Sequence, residues 1–201
     1  MLNHIYCPKF PCEDVRHECF CVPPQDFDPA RISLVLISEC APAEPVDYYY
    51  AAGKPLFAQT TVQAFQDAGA SVDCFKDVLN LGVYLTTAVK CGKTGYGIAR
   101  RTVEECSYLL EAELAQFSHV RGYLLMGDVA IQAVNMIARR AGQGRVIPAG
   151  STYKIRGGEF TFKGVRAFPS YLQAGPSFFI EKSKRRMIAE DIAAALELAA
   201  R

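Results

Sequence analysis

The sequence predicts an α/β fold: a single domain with a central, mostly parallel four-stranded sheet and helices on both faces. Three observations carry this. Short apolar, β-branched runs (ISLVLI at 32–37, VYLTTAV at 83–89, VRGYLLM at 120–126) read as strands buried on both faces. Segments with helical spacing lie between them, and strands alternating with helices imply parallel pairing through right-handed crossovers. The 201 residues, half of them apolar, suffice for one packed domain.

Taken in order, residues 1–30 form a block rich in cysteine, proline and charge, with no helical period. FPCEDVRHE allows a short helical turn, but CVPPQDFDP cannot continue it, because proline lacks a donor and fixes φ. The block reads as an irregular N-terminal arm packed on a domain of residues 31–201. ISLVLI is the first strand, and residues 38–55 read as a long loop. LFAQTTVQAFQDAGA has helical spacing at Phe57, Val62 and Phe65, with Gly69 near its stop. VYLTTAV is the second strand, followed by the Gly-rich loop KCGKTGYG. An amphipathic helix covers 102–117, with Thr102 and Glu105 in capping-box spacing. After the third strand, Asp128 is placed to cap the helix VAIQAVNMIARR. TYKI and EFTFKGVRAF, separated by RGG, predict a hairpin leading into a further strand. A helix over about 178–199 closes the chain, with EKSKRR on its first turns.

Composition excludes several classes. Charged residues at 21% and aromatics at 11% do not fit a disordered chain. The longest apolar runs are too short to span a bilayer as a helix. A net charge of +1 excludes a polycation that holds nucleic acid by bulk charge, while leaving room for a local basic patch. MLNHIYCPKF shows no secretory pattern, so a reducing cytoplasm is the expected setting, where structural disulfides are rare. The eight cysteines, at 7, 12, 19, 21, 40, 74, 91 and 106, then point to buried thiols, a metal or cluster site, or both.

In such sheets the chemistry gathers in loops beyond the carboxyl ends of the strands. Four loops qualify: 38–55, 87–97, 127–128 and 168–176. Glu39 at the first is either a general base or a solvated loop carboxylate. Gly92-Lys93-Thr94 is not a phosphate loop, because that motif needs glycine where Thr87 stands. Gly127-Asp128 reads mainly as a tight turn and helix start. Phe168 to Gly175 is a shaped loop, followed by Lys182, Lys184, Arg185 and Arg186. That cluster suits either a wet helix face or a nucleic-acid backbone.

These four loops, in this order, resemble the motifs of the uracil-DNA glycosylase superfamily, and within it the branch that carries an iron–sulfur cluster. Ser38-Glu39-Cys40-Ala41-Pro42-Ala43 is similar to its GExPG motif. Phe57 in GKPLF takes the place of the aromatic that stacks on the flipped base. Thr86-Thr87-Ala88-Val89-Lys90-Cys91 is similar to T-N-x-V-K-C, and Cys106 follows 15 residues on. Phe168-Pro169-Ser170-Tyr171-Leu172 is similar to H-P-S and its wedge loop. The resemblance runs from about residue 31 to the C-terminus. It departs where Thr87 replaces the motif Asn, which reads the uracil edge, and where Phe168 replaces the motif His. A phenylalanine has no donor, and losing one donor to a developing anion costs roughly 3–4 kcal/mol.

The resemblance implies a uracil-DNA glycosylase-like, three-layer α/β/α domain that hydrolyses the N-glycosidic bond of uracil or another damaged base. The departures imply slow turnover or altered specificity. In that reading Glu39 orients water and groups at Ser170 take charge on the leaving base. Phe57, Thr87 and Phe168 form the base site. Tyr171 or Leu172 fills the gap left in DNA, and Lys182, Lys184, Arg185 and Arg186 meet phosphates. Cys91 and Cys106 match cluster ligands. A [4Fe-4S] cluster needs four thiolates, so the arm must supply two, Cys7 and Cys12 or else Cys19 or Cys21; the branch's C-x-x-C pair is absent here. Zinc on the same thiolates, or free buried thiols, are the alternatives. The alternative function is a member without turnover that binds nucleic acid or carries a cluster.

Overall fold

A computed structural model describes residues 4–24 and 26–201; residues 1–3 and Gln25 of the predicted arm lie outside the described residues. The elements are β1 (Val15–Arg16), β2 (Leu34–Ala41), α1 (Leu56–Asp67), α2 (Phe75–Asn80), β3 (Val83–Lys93), α3 (Arg100–Leu114), β4 (Gly122–Met126), α4 (Asp128–Arg140), α5 (Thr152–Ile155), β5 (Phe160–Phe162), β6 (Val165–Ser170), α6 (Ser177–Ile180) and α7 (Lys182–Ala200). They build one sheet in the order β1-β3-β2-β4-β6-β5. The four central strands are parallel, as expected, and two short antiparallel strands, β1 and β5, add an edge on each side.

The sheet separates two apolar layers. On one face Val35, Ile37, Tyr84 and Leu125 meet Val103 and Leu110 of α3 and Val134 and Ile137 of α4. On the other, Leu34, Leu36, Leu85 and Leu124 meet Phe65 of α1 and Ile188 and Ile192 of α7. The continuous apolar runs arise because β2, β3 and β4 are covered on both faces. Among the described residues no helix is long and apolar enough to cross a membrane.

Several local readings change. The arm is not wholly irregular: β1 pairs with the end of β3, and a 3-10 turn follows at His17–Cys19. Helix α3 begins at Arg100, so Thr102 lies inside its first turn rather than capping it. The cap comes from the arm instead. Asp14 accepts from the Ala99 N–H at 2.6 Å and from the Thr102 hydroxyl. Asp128 likewise is the first residue of α4, not its cap. TYKI forms the helical turn α5, and the hairpin is β5–β6 across Lys163-Gly164, both at positive φ as a tight two-residue turn demands. The short helix α2 carries no period long enough to have been read.

Strand β3 holds an irregularity that matters for everything nearby. Cys40 pairs with Val89, but Ala41 pairs with Gly92, so Lys90 and Cys91 bulge out of the ladder. The Lys90 ammonium turns into the core and donates to Glu113 of α3 at 2.5 Å, to the Thr86 hydroxyl at 2.6 Å and to the Thr87 carbonyl at 2.7 Å. Glu113 also accepts from Tyr84 at 2.8 Å and Thr86 at 2.9 Å. Both charged side chains are fully buried. Removing one partner of such a pair leaves an uncompensated buried charge and costs about 3–5 kcal/mol, whereas apolar replacement of both is far milder. Glu113→Ala is therefore expected to lower the urea unfolding free energy by about 3–5 kcal/mol, and Lys90→Met/Glu113→Leu to recover most of that loss.

Candidate functional site

Glu39 stands at the carboxyl end of β2, half-buried, in a cleft of about 240 Å³ that also touches Asp128, Tyr171, Leu172 and Lys184. Its carboxylate lies directly on Gly127. A Cβ at that position would come within 2.5 Å of Oε1, and the φ of +101° there also demands glycine. Oε1 accepts from the Val129 N–H at 3.4 Å, so Glu39 fills the capping role predicted for Asp128, at the positive end of the α4 dipole. Burial nonetheless dominates and pushes the Glu39 carboxyl above its ordinary value, against the lowering effect of the Val129 N–H and of Lys93. A half-buried carboxylate of raised basicity at a cleft mouth can orient and deprotonate a water.

The residues expected to grip a base are dispersed. Thr87 pairs with Ser38 in the parallel register and is wholly buried. Beside it Ser38, Tyr49 and Gln173 close a network. The Ser38 and Tyr49 hydroxyls are 2.5 Å apart, and Gln173 donates to Tyr49 at 2.8 Å and accepts from Ser38 at 3.2 Å. The Thr87 hydroxyl has no partner there and no opening to the cleft. Phe57, half-buried on the first turn of α1, stands edge-on to Tyr49 at 5.3 Å and beside Gly175. Ser170 is no free hydroxyl: it is buried and donates to Asp191 of α7 at 2.6 Å. Phe168 lies within β6 rather than in the loop after it. Its ring packs toward Gly122 and lies under the Arg166 guanidinium. A histidine substituted there would sit against α7, away from Glu39.

Tyr171 and Leu172 do reach the cleft, and Lys184 lies 5.5 Å from the Tyr171 ring centroid. The basic cluster is largely neutralised by acidic partners. Lys184 pairs with Glu181, Arg185 makes a two-pronged contact with Asp67 of α1, and Arg186 lies 3.6 Å from Glu190. Lys182 is exposed. The Arg185 guanidinium ties α7 to α1 rather than standing ready for a phosphate.

The thiols converge where the sheet bulges. Cys7 and Cys12 of the arm, Cys91 of the bulge and Cys106 of α3 line one cavity of about 540 Å³, with Phe10, His17 and Phe20. Cys19 and Cys21 do not line it; Cys19 donates to the Ala43 carbonyl at 3.3 Å. Two of the four sulfurs already accept backbone hydrogen bonds, Cys7 from Phe10 at 3.3 Å and Cys106 from Lys90. Phe10 has a φ of +44°, a conformation that costs a non-glycine residue roughly 1–2 kcal/mol and that closes this turn. Burial pushes the Cys91 thiol up to about 12 and Cys106 to about 11, with neighbouring thiols adding to both. Protonated thiols are thus the resting form in an empty site, and a bound cation would reverse that. Among the described residues, no three His, Cys, Asp or Glu side chains are placed to hold a single metal ion.

No family model matches the chain, and no curated protein matches it. Among solved structures it is similar to the wild-type UNG crystal structure from Nitratifractor salsuginis. The TM-score is 0.44 and the identity 12%, over 86% of this chain and 76% of that one.

Sequence reasoning missed Tyr49, Gln173, Lys90 and His17. Gln173 meets Ser38 across 135 positions of chain, a contact no local pattern announces. His17 falls outside the four loops. One consequence of the Glu39 environment is measurable. A raised carboxyl pKa means that ionisation is harder in the folded state, so stability is lost as pH rises above the ordinary carboxylate range. Glu39→Gln lacks that loss. Its melting temperature relative to wild type should therefore rise between about pH 4 and pH 7, as measured by calorimetry.

Proposed function

We propose that this chain is a base-excision hydrolase of the DNA glycosylase kind, of altered specificity, that carries a four-iron cluster on Cys7, Cys12, Cys91 and Cys106. The observation that carries the hydrolase reading is Glu39. It is a half-buried carboxylate at the carboxyl end of a central parallel strand, in a cleft shared with Tyr171 and Leu172. An extruded base is reached only outside the stack. Glu39 then holds the attacking water and takes its proton as the bond between base and sugar breaks. Tyr171 and Leu172 cover the apolar side of the cleft, and Phe57 offers a ring beside the loop that follows β6.

The cluster reading rests on donor chemistry. Four cysteines from three separate segments ring one cavity, two of their sulfurs hold N–H donors, and four thiolates are the ligand set a four-iron cluster takes. Bound there, the cluster fastens the proline-rich arm to β3 and α3.

A second reading, a nucleic-acid-binding protein without turnover, is favoured by the closed Ser38–Tyr49–Gln173 network and by the complete burial of Thr87. Incubation with oligonucleotides bearing uracil or other damaged bases, read by cleavage at abasic sites alongside gel shift, separates the two. The hydrolase reading expects base release by wild type that falls about 10²–10⁴-fold in Glu39→Gln. Retarded DNA with no release supports the second reading. Anaerobically purified protein should be brown with about four iron per chain, and Cys91→Ser should lose both. Colourless protein free of iron would leave the four cysteines as core thiols.

A further inference from the structure

His17 belongs to none of the loops expected to carry chemistry, yet it lines the cavity formed by Cys7, Cys12, Cys91 and Cys106. Its ring is clamped: Phe10 packs on it at 5.1 Å between centroids, and Phe20 stands edge-on to Phe10 at 5.5 Å. The 3-10 turn that presents it is closed by the Phe20 N–H donating to the His17 carbonyl at 3.0 Å. Despite this ordering, Nε2 is buried with no hydrogen-bond partner. Buried polar atoms are nearly always paired, so an unpaired one in an otherwise well-packed wall points to a group that completes it.

Glu105 and Tyr108 also line the cavity, but neither bonds to Nε2, and the remaining side-chain acceptors there are sulfurs. A neutral imidazole protonated at Nε2 is a donor, and thiolate or sulfide sulfur accepts. Phe10 and Lys90 already supply backbone donors to Cys7 and Cys106. We propose that His17 is the side-chain member of this set, donating Nε2–H to a sulfur of the bound cluster and raising its reduction potential. The inference rests on the cluster reading above. Hydrogen bonds to the sulfurs draw off negative charge, which favours the reduced state. His17 is thus a positioning residue for the cluster and not one of its ligands; Phe10 fixes the ring.

The test uses the full chain, purified anaerobically as wild type, His17→Phe and His17→Gln. Iron content, midpoint potential and the iron–sulfur stretching bands in H2O and D2O are measured on each. All three should hold about four iron per chain. The midpoint of His17→Phe should be more negative than wild type, with His17→Gln, which keeps an N–H donor, lying between them. A deuterium-sensitive band of wild type should be lost in His17→Phe. Full iron in all three with equal potentials and unchanged bands overturns the role of His17 while the cluster stands. Loss of iron in both variants, with the fold intact by circular dichroism, overturns it in favour of a ligand role. Wild type without iron removes the cluster reading and the His17 assignment with it.

Discussion

The Lys90–Glu113 pair is the constraint on which the rest of this structure hangs. A buried ammonium and carboxylate lose their hydration, and only complete pairing makes their burial tolerable. Here it is complete: Lys90 uses its three donors on Glu113, Thr86 and the Thr87 carbonyl. That arrangement requires Lys90 to leave the ladder, which is why β3 bulges at Lys90 and Cys91. The bulge frees backbone groups, and each finds a specific partner. Lys90 N–H goes to the Cys106 sulfur, its carbonyl accepts from Cys21 N–H at 2.8 Å, and the Cys91 carbonyl accepts from the Cys40 thiol at 3.0 Å. One ion pair thereby sets the register of α3 on β3 and aligns Cys91 with Cys106.

The arm is ordered by the same neighbourhood. Asp14 caps α3, β1 adds to the end of β3, and Cys19 comes so close to Gly92 that a Cβ there would lie 2.6 Å from it. A segment too rich in proline to fold by itself is held by a helix N-terminus, a strand edge and a glycine gap. The consequence is positional: Cys7 and Cys12 come to the cavity that Cys91 and Cys106 also line. Cys40, next to Glu39 in β2, reaches the Cys91 carbonyl, so the carboxylate cleft and the thiol cavity share one strand end.

What the sequence made legible is what local pattern encodes. ISLVLI, VYLTTAV and VRGYLLM are strands because their apolar faces are covered on both sides, and the helix at Phe57 stops by Gly69, whose φ is +85°. The failures share one physical cause, a distant group outcompeting a local one. Thr102 looked like a cap, but Asp14 arrives from 85 positions away to cap Ala99; Asp128 looked like a cap, but Glu39 arrives across 90. The F-P-S segment matched a loop motif, yet its residues pair with β4 as strand, with Ser170 opposite Met126. The Lys182, Lys184, Arg185 and Arg186 cluster reads as a basic patch until the partners Glu181, Asp67 of α1 and Glu190 of α7 appear. At the thiol cavity the spacing leaves open Cys7 and Cys12 or else Cys19 or Cys21, and the course of the arm puts Cys7 and Cys12 on the cavity lining.

The two halves of the site differ in what it costs to change them. The Ser38–Tyr49–Gln173 network is buried and mutually satisfied, so admitting a ligand to Thr87 would break two or three hydrogen bonds whose partners have no water to turn to. The Glu39 cleft is small, polar and open, and the contact with Gly127 and the backbone N–H groups of Asp128 and Val129 hold the carboxylate. The cleft mouth presents Tyr171 and Leu172 as apolar contact and Glu39 as a half-buried carboxylate. Phe168 lies under Arg166 and Ser170 donates to Asp191, so neither offers the cleft a free donor.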